Sequence, residues 1–254
     1  AWAGCWKQWK LAYSFVRTFL VIAPTNNIPL AAVYGALART TGNPDVVTYV
    51  AIGLFLLSMW NAGVQEIGWS LADELWSGTL EAALSSQSSL MVVLLGGSVG
   101  YLARAAARGV VAFLTVVIVG RATFDIASPG LLIGSIGVGL LGLLTTAFVL
   151  APWAVLTGAR GGLFGGLLTF GVAFNGFLAP VQLLPLGLQI PARILPTSWA
   201  MDAVWLAING GDASTIVLHW LFALLESAGM LVLAWWGFRT VERRIRTSGS
   251  ASRY

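Results

Sequence analysis

Charged residues are scarce in this chain, and their scarcity argues against a soluble globular protein. Only 9% of the 254 residues are charged, whereas 57% are hydrophobic. The mean hydropathy is correspondingly high, at +0.83. Soluble domains carry roughly a quarter charged residues, so a soluble fold of this composition would have too little charge to cover its surface. The composition therefore predicts an integral membrane protein.

Cysteine and histidine are almost absent, which excludes several kinds of chemistry. The single cysteine, Cys5, cannot form an intrachain disulfide or a cysteine-built metal site. With one histidine, His219, and scattered acidic residues, a hydrolytic triad or a metal centre is not expected. A phosphate-binding loop of the G-x-x-x-x-G-K-S/T type is also missing. We predict no catalytic residue, no metal and no cofactor in this chain, so that it is not an ATPase by itself.

The sequence does contain a series of apolar runs about 20 residues long, the length at which a helix crosses the hydrocarbon core. Such continuous runs do not show the alternating pattern of an outer-membrane barrel. We predict an all-α integral membrane fold in which residues 1–254 form a single transmembrane domain with six membrane-spanning helices. The spans are placed near residues 17–37, 46–67, 105–120, 130–151, 163–178 and 214–238.

Two of these spans are expected to be irregular. Pro24 and Pro29 interrupt the first span and predict a kinked or partly unwound helix. Residues 90–102 form an apolar run too short to cross, which we interpret as an interfacial or partly re-entrant segment that leads into the third span. Arg104 and Arg108 would then mark the cytoplasmic start of that span.

Three further segments are expected outside the spans. Residues 1–16, rich in Trp and Lys, predict an interfacial helix. Residues 180–194 are apolar but broken by prolines, which favours a helical hairpin in the outer leaflet. Together with an amphipathic helix over residues 196–209, this hairpin makes up an outer hairpin region over residues 179–211. Residues 239–254 predict a basic, disordered cytoplasmic tail.

The distribution of positive charge predicts the orientation. With both termini in the cytoplasm, all of the 14 Lys and Arg residues lie inside except Arg39, Arg121 and Arg193. This arrangement satisfies the positive-inside rule, and we expect a multi-pass protein of the bacterial inner (plasma) membrane. The net charge of +4 needs no nucleic-acid partner to explain it.

One stretch, residues 69–88, is neither a plausible span nor a short turn. It carries three acidic residues, and its leucines recur at close to helical spacing. An amphipathic helix between apolar runs is typical of a membrane surface, where a partner can reach it. The alternative is a helix that rests at the headgroups without a partner.

A few polar residues fall inside predicted spans, where polar groups are costly and often functional. The candidates for a substrate path are Asn61, Gln65, Asn175 and Glu226. The alternative for the three amides is hydrogen bonding between helices, and for Glu226 it is a protonated side chain with a local hydrogen bond. His219 is either an interfacial anchor or a proton carrier.

Two segments carry a resemblance to a known family. The segment from Glu74 to Ser88, with Gly78-Thr79-Leu80-Glu81 at its centre, resembles the signature of type-2 ATP-binding-cassette exporter permeases. It departs from that signature at residues 85–88, where the family usually has Thr-Pro. The segment Leu195-Pro-Thr-Ser-Trp-Ala-Met-Asp-Ala-Val204 is similar to the family's element before the last span.

The resemblance implies a permease domain whose residues 69–88 form a cytoplasmic coupling helix. The residues implied to contact the ATPase are Asp73, Glu74, Gly78, Thr79, Leu80 and Glu81. It also implies cytosolic ATPase subunits, which bind ATP and Mg, and a second permease subunit of the same or a homologous kind. The expected cargo is a hydrophobic or amphipathic compound such as a drug or antibiotic. The alternatives are export of a glycan or lipid, and a proton-coupled secondary transporter that uses Glu226.

Overall fold

The computed structural model describes residues 16–68, 90–124, 126–157 and 162–248, and these residues contain helices and turns without a β-strand. The helices are α1 (Val16–Thr40), α2 (Pro44–Asn61), α3 (Leu90–Gly120), α4 (Pro129–Thr157), α5 (Gly162–Phe174), α6 (Leu186–Ala192), α7 (Pro196–Ile208) and α8 (Ala213–Ser248). A π-helix (Ala62–Ile67) continues α2, and a short 3₁₀ turn (Val181–Leu183) precedes α6.

Four helical segments are long and apolar enough to cross a membrane. They are Pro44–Val64, Leu95–Gly120, Pro129–Thr157 and Ala213–Arg244. The predicted all-helical fold is therefore confirmed for the described residues, and four of its helices are candidates for crossing a membrane. The predicted spans at 17–37 and 163–178 correspond to α1 and α5, which are not among these four candidates. The total of six spans stays a prediction.

The helices pack so that two ends of the bundle can be recognised. At one end, which we call the loop end, the backbone N–H of Ser128 donates to the carbonyl of Ala207 at 3.2 Å, joining the α3–α4 loop to the end of α7. At the opposite end, Ile67, Phe148 and Phe238 pack together with Val241. We call this the arginine end, because Arg104, Arg108, Arg239, Arg243 and Arg244 lie towards it. The helices α2, α3, α4 and α8 run between the two ends.

Three details of the sequence-based interpretation are wrong. Residues 90–102 are not a separate segment before the third span, because α3 is one continuous helix from Leu90. The helix α1 is likewise continuous through Pro24 and Pro29, so the partly unwound form of the prediction is wrong, whereas the kinked form stays a prediction. Residues 239–248 are not disordered, because they continue α8 and bury Val241. In α1 and α3 a continuous helix keeps backbone N–H and C=O groups hydrogen-bonded, which an apolar environment demands. The extension of α8 is held instead by the packing of Val241 with Phe148 and Phe238.

Other predicted segments lie outside the described residues. These are residues 1–15 of the interfacial helix, the whole of the 69–88 stretch, and residues 249–254 of the basic tail. The predictions for them stand as they were made from the sequence.

Candidate functional site

The N-terminus of α7 lies deep inside the bundle. Its first residue, Pro196, packs against Gly142 of α4. Gly142 is thirteen residues into α4, which places it about 20 Å from the loop end at 1.5 Å per residue. The other end of α7 reaches the loop end, where Ile208 accepts a hydrogen bond from Ala127. The helix therefore runs from near the middle of the bundle to one end.

Polar side chains gather at this buried N-terminus. Asn175, Thr197, Ser198 and Asp202 are each at most 1% exposed, and together we call them the α7 polar cluster. The hydroxyl of Thr197 donates to the side-chain oxygen of Asn175. Among the described residues, neither the Asn175 amide nitrogen nor the Ser198 hydroxyl has a hydrogen-bond partner. Buried polar groups are usually paired, so these two atoms are exceptions that mark the cluster as a candidate site.

Asp202 is held by an ion pair with Arg193, the residue that ends α6. A guanidinium nitrogen of Arg193 lies 2.6 Å from Asp202 Oδ2. Within the described part of the chain Asp202 accepts no hydrogen bond, and the short distance between opposite charges identifies its contact with Arg193 as an ion pair. Because Asp202 is fully buried, removing Arg193 would leave an uncompensated charge, which is strongly destabilising.

The loop that contains Asn175 is positioned by direct contact with the backbone of α2. The Tyr49 hydroxyl donates to the carbonyl of Gly176, whose φ of +75° favours glycine. One turn further along α2, a Cβ atom added to Gly53 would lie 1.6 Å from the carbonyl oxygen of Phe177. Only glycine at position 53 lets the loop approach this closely. The contact with α2 therefore fixes the position of Asn175 along the axis of the bundle.

Next to the α7 polar cluster, Trp199 joins α7 to α8. Its indole N–H lies 3.1 Å from Glu226 Oε1 and 3.2 Å from the carbonyl oxygen of Arg193. The Trp199 ring lies 4.8 Å from the ring of Phe222 and 5.6 Å from that of His219. The Arg193 guanidinium lies over the Trp199 ring at 4.2 Å. We call Arg193, Trp199, His219, Phe222 and Glu226 the Trp199 cluster.

A second group of charges lies towards the arginine end. Glu66, in the π-helix, accepts from Arg104 at 3.1 Å and from Arg108. The two arginines are four residues apart and so lie on one face of α3. They lie inside the membrane-spanning candidate Leu95–Gly120 rather than at its start, where the sequence analysis placed them. The ion pairs connect α3 to the last turn before the undescribed residues 69–89.

The predicted substrate-path residues do not form one site. Glu226 belongs to the Trp199 cluster and Asn175 to the α7 polar cluster, and both clusters surround the first turns of α7. Asn61 ends α2 and Gln65 lies in the π-helix. Asn61 is twelve residues beyond Tyr49 on α2, about 18 Å further from the loop end. The structure therefore brings together one pair of the predicted residues and places the other pair elsewhere.

Six residues of the two clusters were not predicted as site residues, namely Arg193, Thr197, Ser198, Trp199, Asp202 and Phe222. Arg193, Trp199 and Asp202 were assigned to an outer loop and an amphipathic helix, where polar residues need no special explanation. An available signal was Asp202 itself, an acidic residue between the hydrophobic neighbours Met201 and Ala203. The implied coupling residues Asp73, Glu74, Gly78, Thr79, Leu80 and Glu81 lie outside the described residues.

The described helices thus define an all-α protein with membrane-spanning helices and a buried polar site. Among the residues that the structure describes, no group of three His, Cys, Asp or Glu side chains could hold a metal ion. A scan against protein-family models gives no match for this chain, and a search of curated proteins gives none either.

Proposed function

We propose that this chain is the membrane-spanning permease subunit of an ATP-driven exporter of the type-2 ATP-binding-cassette class. Its cargo would be a hydrophobic or amphipathic compound that leaves a bacterial cell. The observation that carries the proposal is the charged stretch 69–88, with Gly78-Thr79-Leu80-Glu81 at its centre. It joins two membrane-spanning candidates, α2 and α3, at the point in the chain where an exporter permease has its coupling helix.

The charges of the described residues support the orientation that this function needs. Five arginines lie towards the arginine end, whereas Arg39 and Arg121 lie near the loop end. Since cytoplasmic segments carry the excess of Lys and Arg, the arginine end would face the cytoplasm. The segment 69–88 leaves α2 and returns to α3 on that side, and α8 ends there. Both termini would then be cytoplasmic, in the inner membrane.

The contacts of Glu66 support a mechanical role for the segment. Glu66 lies three residues before residue 69 and is paired with Arg104 and Arg108 of α3. The two helices that flank the segment are therefore tied to each other. A displacement of the segment by a partner would move α2 and α3 as one unit, which is how a packed element transmits a shift.

The partners follow from what the chain does not contain. Because it has no phosphate-binding loop, ATP and Mg would be bound by cytosolic ATPase subunits that dock on residues 69–88. A second permease subunit, either identical or homologous, would complete the translocation path. Export of a glycan or lipid by the same kind of assembly is the alternative for the cargo.

The decisive experiment is copurification from native membranes. We expect a tagged chain to retain a cytosolic ATPase, and the ATPase to be lost when the order of residues 78–81 is scrambled. Glu242→Gln, at the same end of the bundle but outside the segment, is the matched control and should retain the ATPase. Retention of the ATPase by the scrambled variant, or its absence from the unmodified chain, would contradict the proposal.

A proton-coupled secondary transporter is the second candidate, because Glu226 and His219 both contact the Trp199 ring system. Two titratable groups beside one ring inside a span are a possible proton path. Transport that stops in Glu226→Gln but continues when the partner ATPase is inactivated would favour this candidate over the exporter.

A further inference from the structure

We propose that the Trp199 cluster binds lipophilic monocations, such as protonated amines that carry aromatic rings. This inference rests on the proposed function, since it names the class of compound that the exporter would carry. It depends on three features of the cluster, which are its depth, its balance of charge and its aromatic surface.

The first feature is the depth of Glu226 within α8. Glu226 lies thirteen residues after Ala213, the start of both the helix and its membrane-spanning segment. At 1.5 Å per residue this is about 20 Å along the axis, well inside a hydrocarbon core about 30 Å thick. A carboxyl group at this depth is costly unless something compensates its charge, so the groups around it decide what it can bind.

The second feature is an excess of carboxyl groups. The cluster and its buried neighbour contain two carboxyl groups, Glu226 and Asp202, and one guanidinium, Arg193. The guanidinium forms its ion pair with Asp202. From the described residues Glu226 receives one hydrogen bond, from Trp199 to Oε1, whereas the buried Oε2 receives none. With both carboxyl groups ionised and His219 neutral, these side chains carry one net negative charge, which a monovalent cation would balance.

The third feature is the aromatic and apolar surface beside Glu226. Phe222, one turn before Glu226 on α8, is 39% exposed, and Leu225 is 59% exposed. One turn after Glu226, Gly229 is exposed, and a Cβ atom added there would meet nothing within 4 Å. Ring faces attract cations, and the open space at Gly229 gives a bulky compound access from the lipid side. A small hydrated ion would gain nothing from this surface, whereas an aromatic cation would.

The proposal predicts discrimination by charge between ions of equal size and shape. Tetraphenylphosphonium and tetraphenylborate are such a pair, and the cluster should bind only the cation in a saturable manner. The measurement is equilibrium dialysis against the chain in lipid nanodiscs, with protein-free nanodiscs subtracted. We expect Glu226→Gln to weaken cation binding at least about tenfold, and Glu242→Gln, on the same helix, to leave it unchanged.

A second variant keeps the test independent of the carboxyl group. Gly229→Leu fills part of the open space, and since its Cβ atom would meet nothing within 4 Å, it should fold normally and also weaken cation binding. Equal cation affinity in the unmodified chain and in either variant would overturn the proposal, as would saturable tetraphenylborate binding of the same strength. No saturable cation binding to the unmodified chain would also overturn it.

The outcome is separable from that of the proposed function, because the dialysis contains no ATPase. Cation binding without ATPase copurification would preserve the site and refute the exporter. ATPase copurification without cation binding would preserve the exporter and refute the cation site.

Discussion

The contact between Gly53 and the loop after α5 predicts that Gly53→Ala destabilises the protein strongly. The added Cβ would lie 1.6 Å from the Phe177 carbonyl oxygen, about 2 Å short of an ordinary van der Waals separation. The added Cβ atom would collide with backbone atoms of Phe177, so no side-chain rotation can remove the clash. The loop must move away from α2, and the hydrogen bond from Tyr49 to Gly176 is lost with it.

The expected loss in the free energy of unfolding can be estimated from three contributions. Overpacking of a well-packed core costs about 1–3 kcal/mol, and a buried hydroxyl left without a partner costs about 1–3 kcal/mol. Replacing glycine by alanine within a helix contributes about 1 kcal/mol in the opposite direction. The expected net loss in the free energy of unfolding is therefore about 1–5 kcal/mol.

The matched control is Gly229→Ala, also in a membrane-spanning helix. Its Cβ would meet no atom within 4 Å, so only the gain in helix propensity remains, and the variant should be as stable as the unmodified chain or slightly more so. The assay is unfolding by titration with a denaturing detergent in mixed micelles. Equal midpoints for Gly53→Ala and Gly229→Ala would refute the close approach between α2 and the loop.

Two further predictions concern charged groups. Arg193→Met leaves Asp202 as an unpaired buried charge and should cost about 3–5 kcal/mol in the same unfolding assay; adding Asp202→Asn should restore part of this loss, and a further loss would contradict the ion pair. At the start of α8, the hydrogen bond from the Ser214 side chain has the largest effect on Asp212 and lowers its pKa. The hydrogen bond from the Thr215 backbone lowers this pKa further. A carboxyl group whose pKa is lowered by folding stabilises the protein above its usual pKa of about 4, and this contribution is lost as the pH falls further. The unfolding midpoint of Asp212→Asn should therefore depend less on pH below about 4, and an unchanged pH profile would argue against the hydrogen bonds.

The sequence predicted the helical elements best where local chemistry defines their ends. Pro196 begins α7 and Pro129 begins α4, as expected for a residue that is tolerated in the first turn of a helix. The helix α7 ends at Ile208, two residues before Gly210, which has a φ of +72°. Signals of this kind depend on a few neighbouring residues, so they can be found without knowledge of the fold.

The start of the third span could not be predicted because it depends on a distant partner. The apolar run 90–102 is too short to cross a membrane by itself, so Arg104 and Arg108 were placed at the cytoplasmic start of the span. The structure pairs both with Glu66, 38 and 42 residues away in the chain. The pattern of α3 alone does not contain that pairing, so the helix was divided at its arginines.

The candidate site likewise combines residues that could be predicted from the sequence with residues that could not. Asn175 and Glu226 stood out because amide and carboxyl groups are uncommon in apolar runs. Asp202 and Trp199 did not, because an amphipathic pattern indicates that a helix has a polar face without indicating whether that face meets water or protein. Only the packing of α7 between α4 and α8 buries Asp202 and brings Trp199 to Glu226.

The sequence alone therefore determined the membrane-spanning class and the helical structure, because both follow from composition and from the need to satisfy every backbone hydrogen bond in lipid. The depth of each polar side chain and the partner that compensates it were decided by the tertiary structure. Ion pairs and hydrogen bonds such as Arg193–Asp202 and Trp199–Glu226 form between helices, and their geometry depends on how those helices pack.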